Sequence, residues 1–197
     1  MKVLIACEFS GTVREAFKKL GHNAWSCDLI PSDIPGKHIQ GDVLEILNQD
    51  WDLMIAHPPC TYLSNSGVCW LKKDPSRKGK MIEGAKFFKQ LLEAPIDKIC
   101  IENPIMHGYA KEIIGMSQSQ VIQPWMFGHR ERKATCLWLK GLPNLKPSKN
   151  VYNSMLKLPK NKQQRLHYLP PSEDRWKLRS TTYKGIAEAM AKQWGNK

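Results

Sequence analysis

Apolar runs alternate with amphipathic stretches along most of this 197-residue chain. Buried parallel strands tend to be apolar without strict alternation, and strands are predicted on this basis at 2–7, 22–28, 52–56 and 98–101. Apolar positions at helical spacing predict helices at 13–20, 81–92, 109–116 and 182–194. Strands that alternate with helices predict a doubly wound, Rossmann-like α/β fold, in which a mostly parallel sheet carries helices on both faces.

Shorter features complete the predicted order. A third strand ends at Gly41-Asp42-Val43, and two more strands are expected at 120–123 and 134–139, the second of them antiparallel to its neighbour. Residues 61–80 are polar, basic and contain glycine, so they predict a long mobile loop. Loops of that length inside a compact domain are usually functional.

The character of the chain changes at Gly141. Residues 141–179 hold five prolines and many Lys and Arg, with little apolar periodicity. Such a segment is too short and too polar for a core of its own. We therefore expect one domain, formed by 1–140 plus 180–197, which carries 141–179 as an irregular basic segment.

Two polar motifs stand where predicted strands end. Pro58-Pro59-Cys60 follows the strand at 52–56, and Glu102-Asn103-Pro104 follows the strand at 98–101. Parallel strands bring their carboxyl ends to one sheet edge, where open α/β sheets bind their ligands. A thiol and a carboxyl at that edge can act on one substrate, and a nucleophile beside an acid is what attack on an unreactive heteroaromatic ring requires.

The charge balance indicates a polyanionic partner. Thirty Lys and Arg against eighteen Asp and Glu give a formal net charge of +12, which favours nucleic acid over an acidic protein. The alternative is a solvated basic surface without a partner. The cations predicted to contact nucleic acid are Lys72, Lys73, Arg77, Lys78, Lys80, Lys157, Lys160, Lys162 and Arg165.

Cysteine usage and the apolar runs restrict the class of protein further. The six cysteines form no Cys-x-x-Cys pair and have no zinc-site spacing, so neither a disulfide framework nor a metal site is expected. No apolar run approaches the roughly 18 residues of a membrane span, and the N-terminus does not have the pattern of a secretory signal. These features predict a soluble cytoplasmic protein.

The motifs together resemble the DNA cytosine-C5 methyltransferase family. The resemblance covers roughly 1–140, with a weaker similarity at 180–194, and Pro59-Cys60 with the polar stretch that follows resembles the family's catalytic loop. The resemblance therefore implies an S-adenosylmethionine-dependent methyltransferase fold. The residues that carry it, in chain order, are Phe9-Ser10-Gly11, Asp28, Gly41-Asp42-Val43, Pro58-Pro59-Cys60, Glu102-Asn103-Pro104 and Arg130-Glu131-Arg132.

For the reaction, the resemblance implies that Cys60 adds to C6 of cytosine, after which C5 takes a methyl group and loses its proton. It implies that Glu102 binds and protonates N3 and that Arg132 holds the O2 oxygen. Asn103 would organise the loop. Because a free thiol has a pKa of about 8.5, Cys60 needs electropositive surroundings, which Arg130, Arg132 and the basic loop are expected to supply.

For the cofactor, the resemblance implies S-adenosylmethionine at the first motifs. Phe9 and Pro59 would line it, Asp28 would hold the ribose hydroxyls, and Asp42 would meet the adenine amino group. Ser10, Gly11 and Val13 would bring backbone close to it. Taken singly, Gly11 is equally a turn glycine, and either aspartate is equally a helix or turn cap.

The chain departs from the family in two places. It has Val13-Arg14 where the family usually has a glycine pair, and it has no full target-recognition domain between Arg132 and the last helix. Small size and compressed recognition resemble methylase-like proteins of bacterial viruses.

Several functions stay open from the sequence. The first is methylation of cytosine C5 in DNA. The same mechanism on RNA or a free nucleotide is a second, and a catalytically silent nucleic-acid-binding or decoy protein is a third. Enzymes that methylate exocyclic nitrogens also place Pro-Pro after this strand, but they need an aromatic residue where this chain has Cys60.

Overall fold

A computed structural model describes residues 1–195 and shows one seven-stranded sheet in the order β3-β2-β1-β4-β5-β7-β6. The strands are β1 (Lys2–Ala6), β2 (Asn23–Asp28), β3 (His38–Gln40), β4 (Leu53–Ala56), β5 (Ile99–Pro104), β6 (Gln120–Ile122) and β7 (Thr135–Lys140). The helices are α1 (Thr12–Lys19), α2 (Trp70–Lys73), α3 (Ser76–Leu92), α4 (Gly108–Ile114), α5 (Tyr152–Leu156), α6 (Lys160–Gln163), α7 (Arg175–Ser180) and α8 (Lys184–Trp194).

The sheet is mostly parallel and doubly wound, as predicted. Strand β1 pairs in parallel with β2 on one side and with β4 on the other, while β7 runs antiparallel to both β5 and β6. The strand order therefore reverses between β1 and β4. In open α/β sheets this switch point is where ligands bind, outside the carboxyl ends of the strands.

Two apolar layers cover the two faces of the sheet. On one face α3 packs against the sheet, with the Phe88 and Trp138 rings edge to face at 5.0 Å between centroids. On the other face α1 and α8 pack together, and Phe17, Met190 and Trp194 are buried there. Helices on both faces confirm the predicted fold class.

The stretch predicted as a mobile loop, 61–80, is largely helical instead. It contains α2, and α3 begins at Ser76, five residues before the predicted start. The Asp74 carboxylate accepts bonds from the Ser76 amide, at 3.1 Å, and hydroxyl, at 2.6 Å, which stabilises this early start. The remaining loop is held to the chain after β5, where the Asn65 amide donates to the Ile105 carbonyl at 2.8 Å.

Strand β5 is also longer than predicted. It continues through the motif residues to Pro104 because β7 pairs with it antiparallel over that whole length, from Ile99 opposite Lys140 to Pro104 opposite Thr135. The Glu102 motif is therefore held on a strand and does not lie on a free loop.

The basic segment 141–179 is not wholly irregular. It contains the short helices α5, α6 and α7, and Leu145, Met155 and Leu166 are buried, which anchors the segment to the domain. Within residues 1–195 no helix is both long and apolar enough to span a membrane.

A buried arginine organises the loop between β2 and β3. The Arg14 side chain is fully buried, and its guanidinium donates to the Ser26 hydroxyl at 2.9 Å, the Ser32 hydroxyl at 3.1 Å and the Ile34 carbonyl at 3.0 Å. A Cβ at Gly36 would lie 2.7 Å from the Arg14 guanidinium, so a side chain there would displace this buried group. The residue that departs from the family's glycine pair thus fixes the loop beside the switch point.

Candidate functional site

A deep cleft of about 1570 Å³ lies at the carboxyl edge of the sheet, at the switch point. One side is formed by residues that follow β1, β2 and β3, and the centre by residues at the ends of β4 and β5. The other side is formed by 132–134 and by residues between Gln164 and Thr182. We call this space the central cleft.

The central cleft brings together most of the predicted catalytic residues. Cys60, Glu102, Asn103 and Arg132 all line it, whereas Arg130 is exposed and lies outside its lining. The buried Asn103 side chain donates to the Pro58 carbonyl at 3.1 Å. That bond ties the end of β5 to the Pro58-Pro59-Cys60 turn and positions the thiol relative to the Glu102 strand.

An unpredicted ion pair lies between the two motifs. His57 Nδ1 is 3.0 Å from Glu102 Oε2, and the two side chains are only 10% and 12% exposed. Thr182 Oγ1 donates to the same carboxylate oxygen at 3.5 Å. The other imidazole nitrogen, His57 Nε2, is buried without a hydrogen-bond partner among the described residues.

The pair sets the charge of both groups. Burial alone would raise the pKa of Glu102, but the hydrogen bond and positive charge of His57, together with Lys133, lower it well below its usual range. Burial alone would lower the pKa of His57, but Glu102 and the more distant Glu8 raise it. When the pair holds one proton, that proton therefore resides on His57, and Glu102 is a carboxylate.

The surroundings of Cys60 differ from the expected ones. Burial raises the pKa of the Cys60 thiol, while the positive charges of Lys133 and Arg179 lower it, and Glu102 raises it further. The cations that act on the thiol are thus Lys133 and Arg179, not Arg130 and Arg132. The sheet explains the correction, because Lys133 lies two residues before β7, the strand that pairs beside Glu102.

The predicted cofactor residues divide into two groups. Phe9, Ser10, Asp28, Asp42 and Pro59 line the central cleft. Gly11 and Val13 are not among its lining residues. A Cβ on Gly11 would lie 2.6 Å from the Ile34 side chain, so this glycine, at φ +68°, gives room to the β2–β3 loop and not to a ligand.

A buried carboxyl group already occupies the N-terminus of α1. Glu8 is 4% exposed and accepts bonds from the Val13 amide at 2.7 Å and the Arg14 amide at 3.2 Å. A helix N-terminus at this position of the fold ordinarily binds a ligand anion. Here Glu8 takes those donors, and that is why the Val13 backbone is not available to a cofactor.

Asp28 and Asp42 are both caps and cleft residues. Asp28 accepts from the Ile30 amide at 3.2 Å, and Asp42 accepts from the Leu44 amide at 2.9 Å and caps a 3₁₀ turn. Burial raises the pKa of Asp28, opposed by its backbone hydrogen bonds. Each carboxylate therefore stabilises its own turn while it also lines the cleft.

The predicted nucleic-acid cations are at the surface but do not line the central cleft. Arg77 and Lys80 lie over the Tyr62 ring, and Lys73 lies over the Trp70 ring. Arg165 is bound to Glu131 at 3.1 Å. The cations that line the cleft are Arg132, Lys133, Arg175 and Arg179, and only the first was predicted.

Sequence reasoning missed several residues of the site. His57 adjoins the Pro-Pro motif, but its partner Glu102 is 45 positions away. Glu8 stands directly before the Phe9-Ser10-Gly11 turn. An acidic residue near the start of a predicted helix was the signal that could have identified it. Trp176, whose ring lies 5.2 Å from the Phe9 ring between centroids, belongs to a segment without apolar periodicity, so its spacing gave no signal of this contact. Across the described part of the chain, no cluster of three or more His, Cys, Asp or Glu side chains is placed to hold a metal ion.

Comparison with known proteins gives a partial structural likeness. No protein-family model matches the chain, and no curated protein matches its sequence. One similar solved structure is described as a DNA modification methyltransferase encoded within an Escherichia coli prophage, with 14% identity over 80% of this chain and 55% of that chain, at a TM-score of 0.47. Another is a methyltransferase of Entamoeba histolytica, with 16% identity over 75% of this chain and 57% of that chain, at a TM-score of 0.49. This chain thus spans a little over half of each.

We predict that replacing His57 by Ala destabilises the fold in a pH-dependent way. Below a pH of about 6.5 His57 is charged and pairs with Glu102, and removing one partner of a buried pair costs about 3–5 kcal/mol. As the pH rises through the raised pKa of His57, the pair loses its charge and the difference from wild type should shrink. Urea unfolding of both proteins from pH 6 to pH 9 measures this.

A matched control is His167→Ala, because His167 is an exposed imidazole. It should change the free energy of unfolding by less than about 0.5 kcal/mol at every pH. A His57→Ala effect that is constant across the pH range would contradict the ion pair.

Proposed function

We propose that this protein methylates C5 of cytosine in DNA, with S-adenosylmethionine as methyl donor and Cys60 as covalent nucleophile. The observation that carries the proposal is the convergence of Cys60 and the His57–Glu102 pair on the one cleft that Asp28 and Asp42 also line. Each residue has a role in that reaction, and the cleft lies at the switch point where this fold binds ligands.

The residues present fit the cofactor. Phe9 and Pro59 offer apolar contact, and Asp28 and Asp42 offer acceptors at the ends of neighbouring strands β2 and β3. Asp28 would hold the ribose hydroxyls and Asp42 the adenine amino group. When bound, S-adenosylmethionine supplies the methyl group that C5 accepts.

Cys60 begins the reaction as a thiolate at C6. Burial opposes ionisation of the thiol, so the positive charges of Lys133 and Arg179 have to offset that cost. The Lys133 ammonium is held at the site, since its Nζ donates to the Arg179 carbonyl at 2.9 Å. A DNA phosphate close to these cations would also position the target base over the thiol.

His57 and Glu102 together supply the proton that N3 needs. Attack at C6 places negative charge on the ring, and protonation of N3 relieves it. Because the proton starts on His57 Nδ1, its transfer to Glu102 and on to N3 leaves neutral His57 and ionised Glu102. After C5 has accepted the methyl group, its proton leaves to water, the N3 proton returns through Glu102 to His57, and the aromatic ring reforms as the Cys60 thiolate is expelled.

One observation favours the silent, DNA-binding alternative. The thiol of Cys60 has a raised pKa because it is buried, so the free protein holds little of the reactive thiolate. A protein of this kind would bind DNA in the same place without methylating it. Methyl transfer that depends on Cys60 distinguishes the active methyltransferase from the silent DNA-binding protein.

The direct test is transfer of label from methyl-labelled S-adenosylmethionine to DNA, RNA or dCMP, supplied separately. We expect label in DNA, and we expect Cys60→Ser to reduce it by roughly a thousandfold or more, since the nucleophile is lost. Cys69→Ser is the matched control, because Cys69 is exposed and does not line the central cleft. Label in RNA or dCMP alone would overturn the proposal that DNA is the substrate. No label in any of the three, while the cofactor is bound, would favour the silent protein.

The basic segment should bind DNA through phosphates and not through bases. Affinity is then expected to fall with salt at a log–log slope of about −0.9 per neutralised phosphate, with little difference between unrelated sequences. Replacing Lys157, Lys160 and Lys162 by Gln should weaken all sequences alike and flatten the slope.

Replacing Lys18, Lys19 and Lys192 by Gln is the charge-matched control, since these exposed lysines lie on α1 and α8, away from the segment. Fluorescence anisotropy with two unrelated duplexes between 50 and about 200 mM salt gives the slopes. Equal slopes for the two triple variants would leave 157–162 as a solvated surface.

A further inference from the structure

Helix α7 lies against the cofactor half of the central cleft. The Trp176 ring lies 5.2 Å from the Phe9 ring between centroids, tilted by 52°. Lys177 Nζ is 3.4 Å from Asp33 Oδ1, in the loop that Arg14 organises. At the other end of α7, the Arg179 carbonyl accepts the bond from Lys133. The helix is therefore tied to Phe9, to the β2–β3 loop and to Lys133.

Trp176 packs beside Phe9 and presents the rest of its indole to the cleft, where a ligand can lie against it. Its side chain lines the central cleft and is 51% exposed, whereas Phe9 beneath it is 6% exposed. A half-exposed indole beside a buried aromatic ring offers a planar surface for a nucleoside, because aromatic rings favour offset or tilted stacking at these distances. Ser172, Arg175 and Ser180 line the same side of the cleft.

The carboxylate of the proposed cofactor's amino-acid end needs a positively charged or N–H partner. The N-terminal amides of α1 do not provide one. Glu8 occupies the α1 amides that could otherwise bind a carboxylate. Arg175 lines the cleft, and its Nε is buried without a hydrogen-bond partner among the described residues. Arg179 lies four residues later, on the same face of the helix, and also lines the cleft.

We infer that α7 forms a wall of the cofactor site: Trp176 covers the nucleoside and Arg175 binds the amino-acid carboxylate. This inference rests on the proposed function, since it concerns the same cofactor. The segment that stands between Arg132 and the last helix thus has a second task beside DNA binding. The carboxyl-terminal end of this segment forms one wall of the cofactor pocket, and Glu8 bounds the pocket at the start of α1.

Calorimetry with two non-reactive probes tests the two roles separately. S-Adenosylhomocysteine has both the nucleoside and the amino acid, whereas 5′-methylthioadenosine lacks the amino acid. Trp176→Ala should weaken both probes about tenfold or more, and Trp176→Phe should retain most of the affinity. Arg175→Gln should weaken S-adenosylhomocysteine about tenfold and leave 5′-methylthioadenosine unchanged, because the charge-assisted bond is made only by the carboxylate.

The controls separate failure of the inference from failure of the proposed function. Tyr168→Ala removes an aromatic side chain that is 55% exposed in the same segment but does not line the cleft, and should bind like wild type. Asp28→Asn should weaken both probes. If Asp28→Asn weakens binding while Trp176→Ala and Arg175→Gln bind like wild type, the inference is overturned and the proposed function stands. If wild type binds neither probe, both are overturned.

Discussion

The ion pair between His57 and Glu102 is the interaction on which the site depends. It joins the end of β4 to β5, the neighbouring parallel strand, at the point where both carry functional motifs. The bond from Asn103 to the Pro58 carbonyl runs beside it, so Cys60 and Glu102 are held by two links across the same pair of strands. The pair also decides which group carries the proton. A buried carboxylate alone would tend to be protonated, and here the imidazole keeps it ionised with the proton one bond away.

A second constraint lies at the start of α1. Glu8 satisfies the amides of Val13 and Arg14, and the Arg14 side chain fixes the β2–β3 loop, so the place where a glycine pair would approach a cofactor is filled by the protein's own side chains. The half of the cleft proposed to bind the cofactor is then bounded by Phe9, Asp28 and Asp42 on one side and by α7 on the other. A short basic segment can in this way contribute to the site although it is too small to form a domain of its own.

The strand pattern and the motif order predicted the mostly parallel sheet and several residues that line the central cleft at its carboxyl edge, because buried strands and strand-end prolines leave local signals. The contacts that define the chemistry were not predictable in the same way. His57 and Glu102 are 45 residues apart, and Trp176 and Phe9 are farther apart still, so neither pairing has a spacing signature. The helical part of 61–80 was missed because its basic, glycine-containing composition is typical of a loop. The start of α3 at Ser76 depends on a hydrogen bond to the Asp74 carboxylate. Lys133 was overlooked beside the more conspicuous Arg130 and Arg132.

The central claim is that Cys60 bonds covalently to the target base. The most direct measurement is mass spectrometry of peptides after the protein is incubated with S-adenosylmethionine and mixed-sequence duplex DNA containing 5-fluorocytosine, in which fluorine blocks the final loss from C5. We predict an adduct on the peptide that contains Cys60, present in Cys69→Ser and absent from Cys60→Ser. No adduct in the wild-type protein, under conditions in which calorimetry shows the cofactor bound, would contradict the covalent mechanism.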